Sequence, residues 1–325
     1  MHALTRLGGR QYQVDGPDDS NKLDVLDGGA VRKYFVACEE VEWNYGPSGR
    51  NGVTDAPFDS DRSATYLAHN DTRIGATNRK ARYIEYTDDT FATVREPSAD
   101  WRHKGILGPV LRAEVGDQLH VLFRNKCSRP YTMHPHGVEY LKASEGADYA
   151  DGVATAAKPG SGVAPGGSFL YKWKATERSG PGPSDLDTVP WLYHSHVDEG
   201  RDVASGLMGL ILVSRKGAGG AEDGGRVGRP PSVDRELVVL FKVFDESASW
   251  SPPHTRHTPP PHTTHHHYPP PGPTQSQPVT CCNCAPCCGR VVAGAAGRRQ
   301  HRLPPQPTFL GPLARPRCIL QSVSH

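Results

Sequence analysis

Trp191-Leu-Tyr-His194-Ser195-His196-Val197-Asp198, read together with Thr132-Met-His134-Pro-His136-Gly137 upstream, is the pattern on which this chain turns. Each stretch holds two histidines separated by one residue. In an extended strand the side chains at i and i+2 leave the same face, about 6.7 Å apart at the backbone. Two such doublets could close on one metal cluster. Spacing alone leaves open the reading that these histidines only pack or face solvent. The flanks favour strand ends over a solvated loop, because Met133 and Tyr193 precede the doublets while small Gly137 and β-branched Val197 follow them.

Outward from the doublets the sequence reads as short strands and turns. Upstream, Val31–Cys38 is a strand, and Val41, Trp43 and Tyr45 alternate with polar residues in the period of two of a half-buried strand. Residues 81–86 and 110–115 add two more, and Gly116-Asp117 carries a hairpin signal before Gln118–Asn125. There Leu119, Val121 and Phe123 share one face, which puts His120 on the other and away from any ligand set. After the first doublet come a Gly- and Ala-rich excursion over 143–162 and a strand at Ser168–Trp173. After the second, one helical turn over 198–205 is expected, then the near-continuous apolar run 204–213, suited to a central strand. With no long helical periodicity, the pattern predicts an all-β fold, a Greek-key β-sandwich over residues 31–216.

The two ends differ in composition. Residues 1–30 are polar and rich in Gly and Asp, and are expected to be a disordered lead-in. Residues 217–232 read as a Gly-rich flexible linker, and 233–250 as the opening strand of a second domain with nothing left to pair with. From residue 251 to 325 there is no Asp or Glu, while sixteen of the thirty prolines and six of the eight cysteines fall there. That Pro/His/Cys-rich tail is read as low-complexity sequence, although His262–His267 and Cys281–Cys288 would also suit a thiol- and imidazole-rich metal-binding arm. The net charge of +2 is the sum of −5 over residues 1–250 and +7 in the tail, so it does not describe a basic nucleic-acid surface. No apolar run approaches the roughly 18 residues needed to span a bilayer, and the first ten residues lack the apolar core of a secretory signal. Only Cys38 and Cys127 lie in the body, so a disulfide is not an obvious staple there, and Cys127 is read as a buried thiol.

The residues also carry a resemblance. Residues 128–137, Tyr193–Asp198, Asp202–Leu210 and Val243–Trp250, supported by Asp71–Gly75, Tyr83–Asp88 and Leu107–Asp117, closely resemble the first cupredoxin (plastocyanin-like) domain of multicopper oxidases, specifically the ceruloplasmin- and hephaestin-type ferroxidases. The likeness runs from about Val31 to Trp250 and then stops, as in a chain cut short inside its second domain.

The resemblance implies a cluster of three coppers that reduces O2 to water, bound by eight histidines from four His-x-His motifs, two in the first domain and two in the last. Carried over, His134 would ligate the type 2 copper, and His136, His194 and His196 the type 3 pair. Imidazole suits copper, and its second ring nitrogen is normally oriented by a carboxylate, carbonyl or water. Asp198 and Asp202 are candidates for that role, with helix N-capping as the structural alternative. The missing cluster ligands would come from a C-terminal cupredoxin domain, and Fe(II) is the most plausible electron donor.

Departures from the family are as informative. Electrons there enter at a type 1 copper and travel along a His-Cys-His segment of the last domain, whereas the central residue here is Ser195, which cannot serve as that thiolate bridge. No type 1 set is visible, so the chain alone is expected to be inactive. A disulfide of the animal homologues corresponds to Thr188 and Ser214, both lacking sulfur. Relatives bind calcium in the excursion after the first doublet. Lys142 fits the position that donates its carbonyl, but residues 153–162 supply no carboxylate, so calcium is not expected. Relatives act outside cells or at the cell surface, an expectation at odds with the missing leader. Two further readings remain, a copper-binding protein without turnover and a structural cupredoxin module like those of clotting cofactors.

Overall fold

The computed structural model describes residues 29–58, 67, 69–70, 73–154, 158–222 and 226–250, together with strand segments at 4–7, 10–13, 290–297 and 320–322. Nine strands form the body. They are β1 (Val31–Asn44), β2 (Thr77–Tyr86), β3 (Val110–Glu114), β4 (Gln118–Asn125), β5 (His134–Pro135), β6 (Glu139–Tyr140), β7 (Ser168–Lys174), β8 (Thr188–His194) and β9 (Met208–Ser214). One helix, α1 (Glu199–Ser205), follows the second histidine doublet. The strands make two sheets, ordered β6-β7-β4-β1-β2 and β3-β9-β8-β5. Most neighbours are antiparallel, but β1 with β4 and β3 with β9 run parallel, which requires the chain to cross between sheets. The fold is a cupredoxin-like β-sandwich.

Alternation builds the core. Tyr34, Val36 and Cys38 on β1, Leu119, Val121 and Phe123 on β4, and Phe169, Tyr171 and Trp173 on β7 all point between the sheets and are buried. From the other sheet Leu111, Ala113, Tyr193, Ile211 and Val213 meet them. Fully burying each large apolar side chain contributes about 1.5–3 kcal/mol. Gly209 lies under the Tyr193 ring, where a Cβ would stand 2.1 Å from a ring carbon, so no other residue fits that register. His120 takes the outer face as expected, half-buried between Lys33 and Lys172, its register partners on either side.

Several expectations are corrected. Gly116-Asp117 does not close a hairpin, because β3 and β4 belong to opposite sheets. The Asp117 carboxylate instead accepts from the backbone of Ala30 and Glu114 and from the Arg32 guanidinium, turning the chain across the sandwich. Cys38 and Cys127 form a disulfide with Cα atoms 5.6 Å apart, although 89 residues separate them. Parallel pairing sets Cys38 beside Asn125 and so delivers Cys127, which is therefore not a free thiol. Thr188 and Ser214 are register partners on β8 and β9, and their hydroxyls hydrogen-bond at 2.8 Å.

The ends also differ from expectation. Leu4–Leu7 and Arg10–Gln13 form a hairpin within the lead-in, and Gly220–Glu222 pairs with Arg226–Gly228 inside the linker. The strand Val233–Phe241 is not partnerless, since it pairs antiparallel with Arg290–Gly297, which pairs with Leu320–Ser322. The rest of the tail, including the histidine- and cysteine-rich runs, lies outside the described residues. Residues 233–250 pack against the sandwich: Glu236 pairs with Arg112, the Val238 amide donates to His103 Nε2 at 3.0 Å, and Glu246 pairs with buried Lys80 at 2.5 Å. Among the described residues no helix is long and apolar enough to cross a membrane.

Candidate metal centre

Register brings the doublets together. β5 pairs with β8 so that His134 stands directly opposite His194, and the His136 amide donates to the Leu192 carbonyl at 2.8 Å. The four imidazoles converge. The His134 ring centroid lies 5.2, 5.5 and 5.0 Å from those of His136, His194 and His196, and His136 and His194 are 5.1 Å apart. The ligating atoms of His134, His136 and His194 all fall within 4.8 Å of one another, and the Nε2 atoms of His136 and His194 face each other at 2.9 Å.

Backbone carbonyls set which nitrogen is available. Glu145 O lies 2.6 Å from His134 Nδ1 and Ser195 O lies 3.0 Å from His194 Nδ1. A carbonyl only accepts, so each Nδ1 carries its hydrogen and each Nε2 keeps a lone pair for a ligand. Burial holds the His134 pKa down to about 4 and that of His194 to about 3, with the neighbouring imidazoles adding to the effect. Both are therefore neutral near pH 7, the form that binds metal. His134 and His194 are buried while His136 and His196 are half-buried, so the cluster sits at a rim with one side open.

Hydroxyls stitch the doublets to each other. Ser195 Oγ accepts from the Thr132 amide at 3.1 Å and donates to Asp202 Oδ2 at 2.6 Å, and Thr132 Oγ1 accepts from the His196 amide at 2.9 Å. Asp198 is the N-cap of α1, accepting from the Arg201 amide. Asp202 does not orient an imidazole. Its Oδ2 accepts from Ser195, Val197 and Asp198, fixing the turn that carries His194 and His196. The carbonyls of Glu145 and Ser195 perform the orienting role considered for the aspartates.

Sequence reasoning missed Glu199. Its carboxylate lies 3.9 Å from His194 Nε2 and 3.6 Å from His196 Nε2. The only local signal was its place three residues after His196 at the head of a short helix. Tyr149, with its hydroxyl 3.1 Å from His196 Nε2, had no sequence signal. Ser195 is buried and fully engaged, and Cys38 and Cys127 are bonded to each other, so among the described residues no thiolate stands ready for a metal. The set fits copper in its nitrogen donors, the neutral state of His134 and His194 and the facing Nε2 atoms.

Residues 86–218 match a family model described as multicopper oxidase. The chain is 44% identical to human hephaestin over 227 residues, 69% of this chain and 19% of that protein. It is 42% identical to human ferroxidase HEPHL1 over 229 residues, 70% of this chain and 19% of that one. With human ceruloplasmin it shares 38% over 219 residues, 67% of this chain and 20% of that one. The chain thus spans about a fifth of the length of these relatives.

Proposed function

Because this chain belongs to the multicopper oxidase family through residues 86–218, we propose that its sandwich supplies four histidines of a trinuclear copper cluster, His134 to the type 2 copper and His136, His194 and His196 to the type 3 pair. The observation that carries the reading is the 2.9 Å approach of His136 Nε2 to His194 Nε2, inside a ring of four imidazoles from two distant parts of the chain. Without a cation the two Nε2 atoms stand at hydrogen-bond distance, one ring donating to the other. A shared cation would bind both lone pairs.

The copper would supply redox chemistry for reducing O2 to water at the expense of a donor such as Fe(II). The chain's own residues present Nε2 lone pairs, keep Nδ1 hydrogens on carbonyls and hold the two doublets in register through Thr132, Ser195 and Asp202. The open side of the rim is where a C-terminal cupredoxin domain would add the remaining ligands. Substrate oxidation would also be that partner's task, since the family's His-Cys-His segment belongs to the last domain and Ser195 here cannot supply its thiolate. Calcium has no part in the proposal, because the carboxylates of the excursion are paired with Lys142 and Lys158.

Co-production with a cupredoxin domain bearing His-Cys-His tests the reading. It expects more than one copper per chain and O2 consumption with Fe(II), both lost in His136→Ala plus His194→Ala. Copper uptake without O2 consumption would point to a binding protein without turnover. Weak copper retention with folding unchanged after His134→Ala plus His196→Ala would leave a structural module.

A further inference from the structure

Between the doublets, residues 145–151 (Glu-Gly-Ala-Asp-Tyr-Ala-Asp) contact the metal centre from the side. Glu145 O takes the His134 Nδ1 hydrogen, Ala147 bridges to His196, and the Tyr149 hydroxyl lies 3.1 Å from His196 Nε2. The path is tight, since Gly146 has φ +71° and a Cβ there would meet the Met133 carbonyl at 2.4 Å. Yet this segment contains no regular strand, and it gathers three carboxylates within seven residues. Like charges so close repel, and left to themselves would spread the segment.

One side chain opposes this. Lys158 has no exposed side-chain surface, unusual for a residue type that is almost never buried without partners. Its ammonium donates to Asp148 Oδ1 at 2.8 Å, Asp151 Oδ1 at 2.7 Å and Tyr149 O at 3.0 Å. Three hydrogens meet three acceptors, all within the segment that supports the histidines. Lys142 closes the other side, pairing with Asp151 Oδ2 at 2.6 Å and with Glu145, its ammonium 5.1 Å from the centre of the Tyr149 ring.

We propose that Lys158 is a built-in cation that positions the metal centre: it gathers residues 145–151 around its ammonium, and that segment then fixes the tautomer of His134 and seats the Tyr149 hydroxyl against His196. The proposal rests on reading those histidines as metal ligands. A dissolved divalent ion could draw the same carboxylates together, but here a covalently attached ammonium occupies their centre, so the order of the segment is independent of such ions. The two carboxylates raise the Lys158 pKa above its ordinary value and keep it charged.

The test compares the full chain with Lys158→Met, and with Asp148→Asn plus Asp151→Asn, which alters only partly exposed side chains should the first variant fold poorly. In the metal-free protein, nitrogen NMR of His134 is expected to report the Nδ1–H tautomer in the parent and a mixture in both variants, with faster amide exchange over 145–151. In the Cu(II)-loaded protein the electron paramagnetic resonance spectrum should shift, and affinity should fall about 10-fold or more. Millimolar calcium should leave the thermal midpoint of the parent unchanged. An unaltered His134 tautomer and amide exchange in the variants, or a calcium-dependent parent, would overturn the proposal. Should the parent take up no copper, the ligand reading fails, while the metal-free measurements still decide the role of Lys158.

Discussion

The indole Nε1 of Trp250 donates to Asp202 Oδ1 at 2.7 Å, while the other oxygen of the same carboxylate holds Ser195 at 2.6 Å. A residue from outside the sandwich is thus one hydrogen bond from the turn between His194 and His196. Two guanidinium groups flank its ring, Arg129 at 4.2 Å and Arg201 at 4.5 Å, and its amide donates to Ser205 Oγ.

Trp250→Phe keeps a ring between the arginines but removes the donor from a buried carboxylate. A hydrogen bond to a charged group is worth about 1.5–3 kcal/mol, so urea denaturation should show a loss of that order. Copper affinity should weaken as well, because Asp202 would hold the turn with one oxygen unsatisfied.

His136→Ala plus His194→Ala removes the facing Nε2 pair. Copper affinity, measured by competition with a chelator, should drop by about 100-fold or more, beyond the range of outer partners. Asp198→Ala should cost about 1 kcal/mol through its N-cap and leave copper affinity unchanged, since Asp198 caps α1. Equal losses of copper from both variants would contradict the assignment.

The Cys38–Cys127 bridge closes a loop of 89 residues. Chain entropy then places its contribution at about 4–5 kcal/mol, and measured bridges of this kind commonly give about 2–4. Peptide mapping should find the two cysteines joined, and Cys38→Ala plus Cys127→Ala should lower stability by that amount while copper stoichiometry is retained.

Acid should destabilise the metal-free protein before its carboxylates titrate. Burial, then Lys172 and Lys33 beside it, lowers the His120 pKa to about 4, and burial lowers His134 to about 4 and His194 to about 3. The unfolded chain binds these protons near pH 6.5, so between about 6.5 and 4 it holds more of them than the folded chain. These groups favour folding fully above pH 6.5, and their contribution is lost as pH falls through that window. Urea unfolding at pH 7, 5.5 and 4.5 should show the decline, and His120→Gln should make it shallower. A flat profile would count against the burial of these rings.

Local pattern carried much of the fold. Alternation in β4 marked Leu119, Val121 and Phe123 as inward and His120 as outward, and the apolar run near 204–213 contained a central strand. Boundaries shifted where sequence is ambiguous. Two expected strands over 31–45 are one, Val31–Asn44, because Glu39 and Glu40 continue the pairing with Arg82 and Ala81. Gly116-Asp117 reads like a hairpin, since turn chemistry says how a chain reverses but not which sheet receives the next strand.

What the chain determined by itself was whatever rests on neighbours a few residues apart: the strand period, the two His-x-His doublets and the capping aspartate at 198. Tertiary structure alone decided that His134 faces His194, that Cys38 meets Cys127, that Glu199 and Tyr149 border the imidazoles, and that Lys158 is enclosed by carboxylates. The physical reason is range. A side chain's periodicity is set by the backbone angles of its own segment, whereas register and crossover are settled only when both sheets bury their faces together.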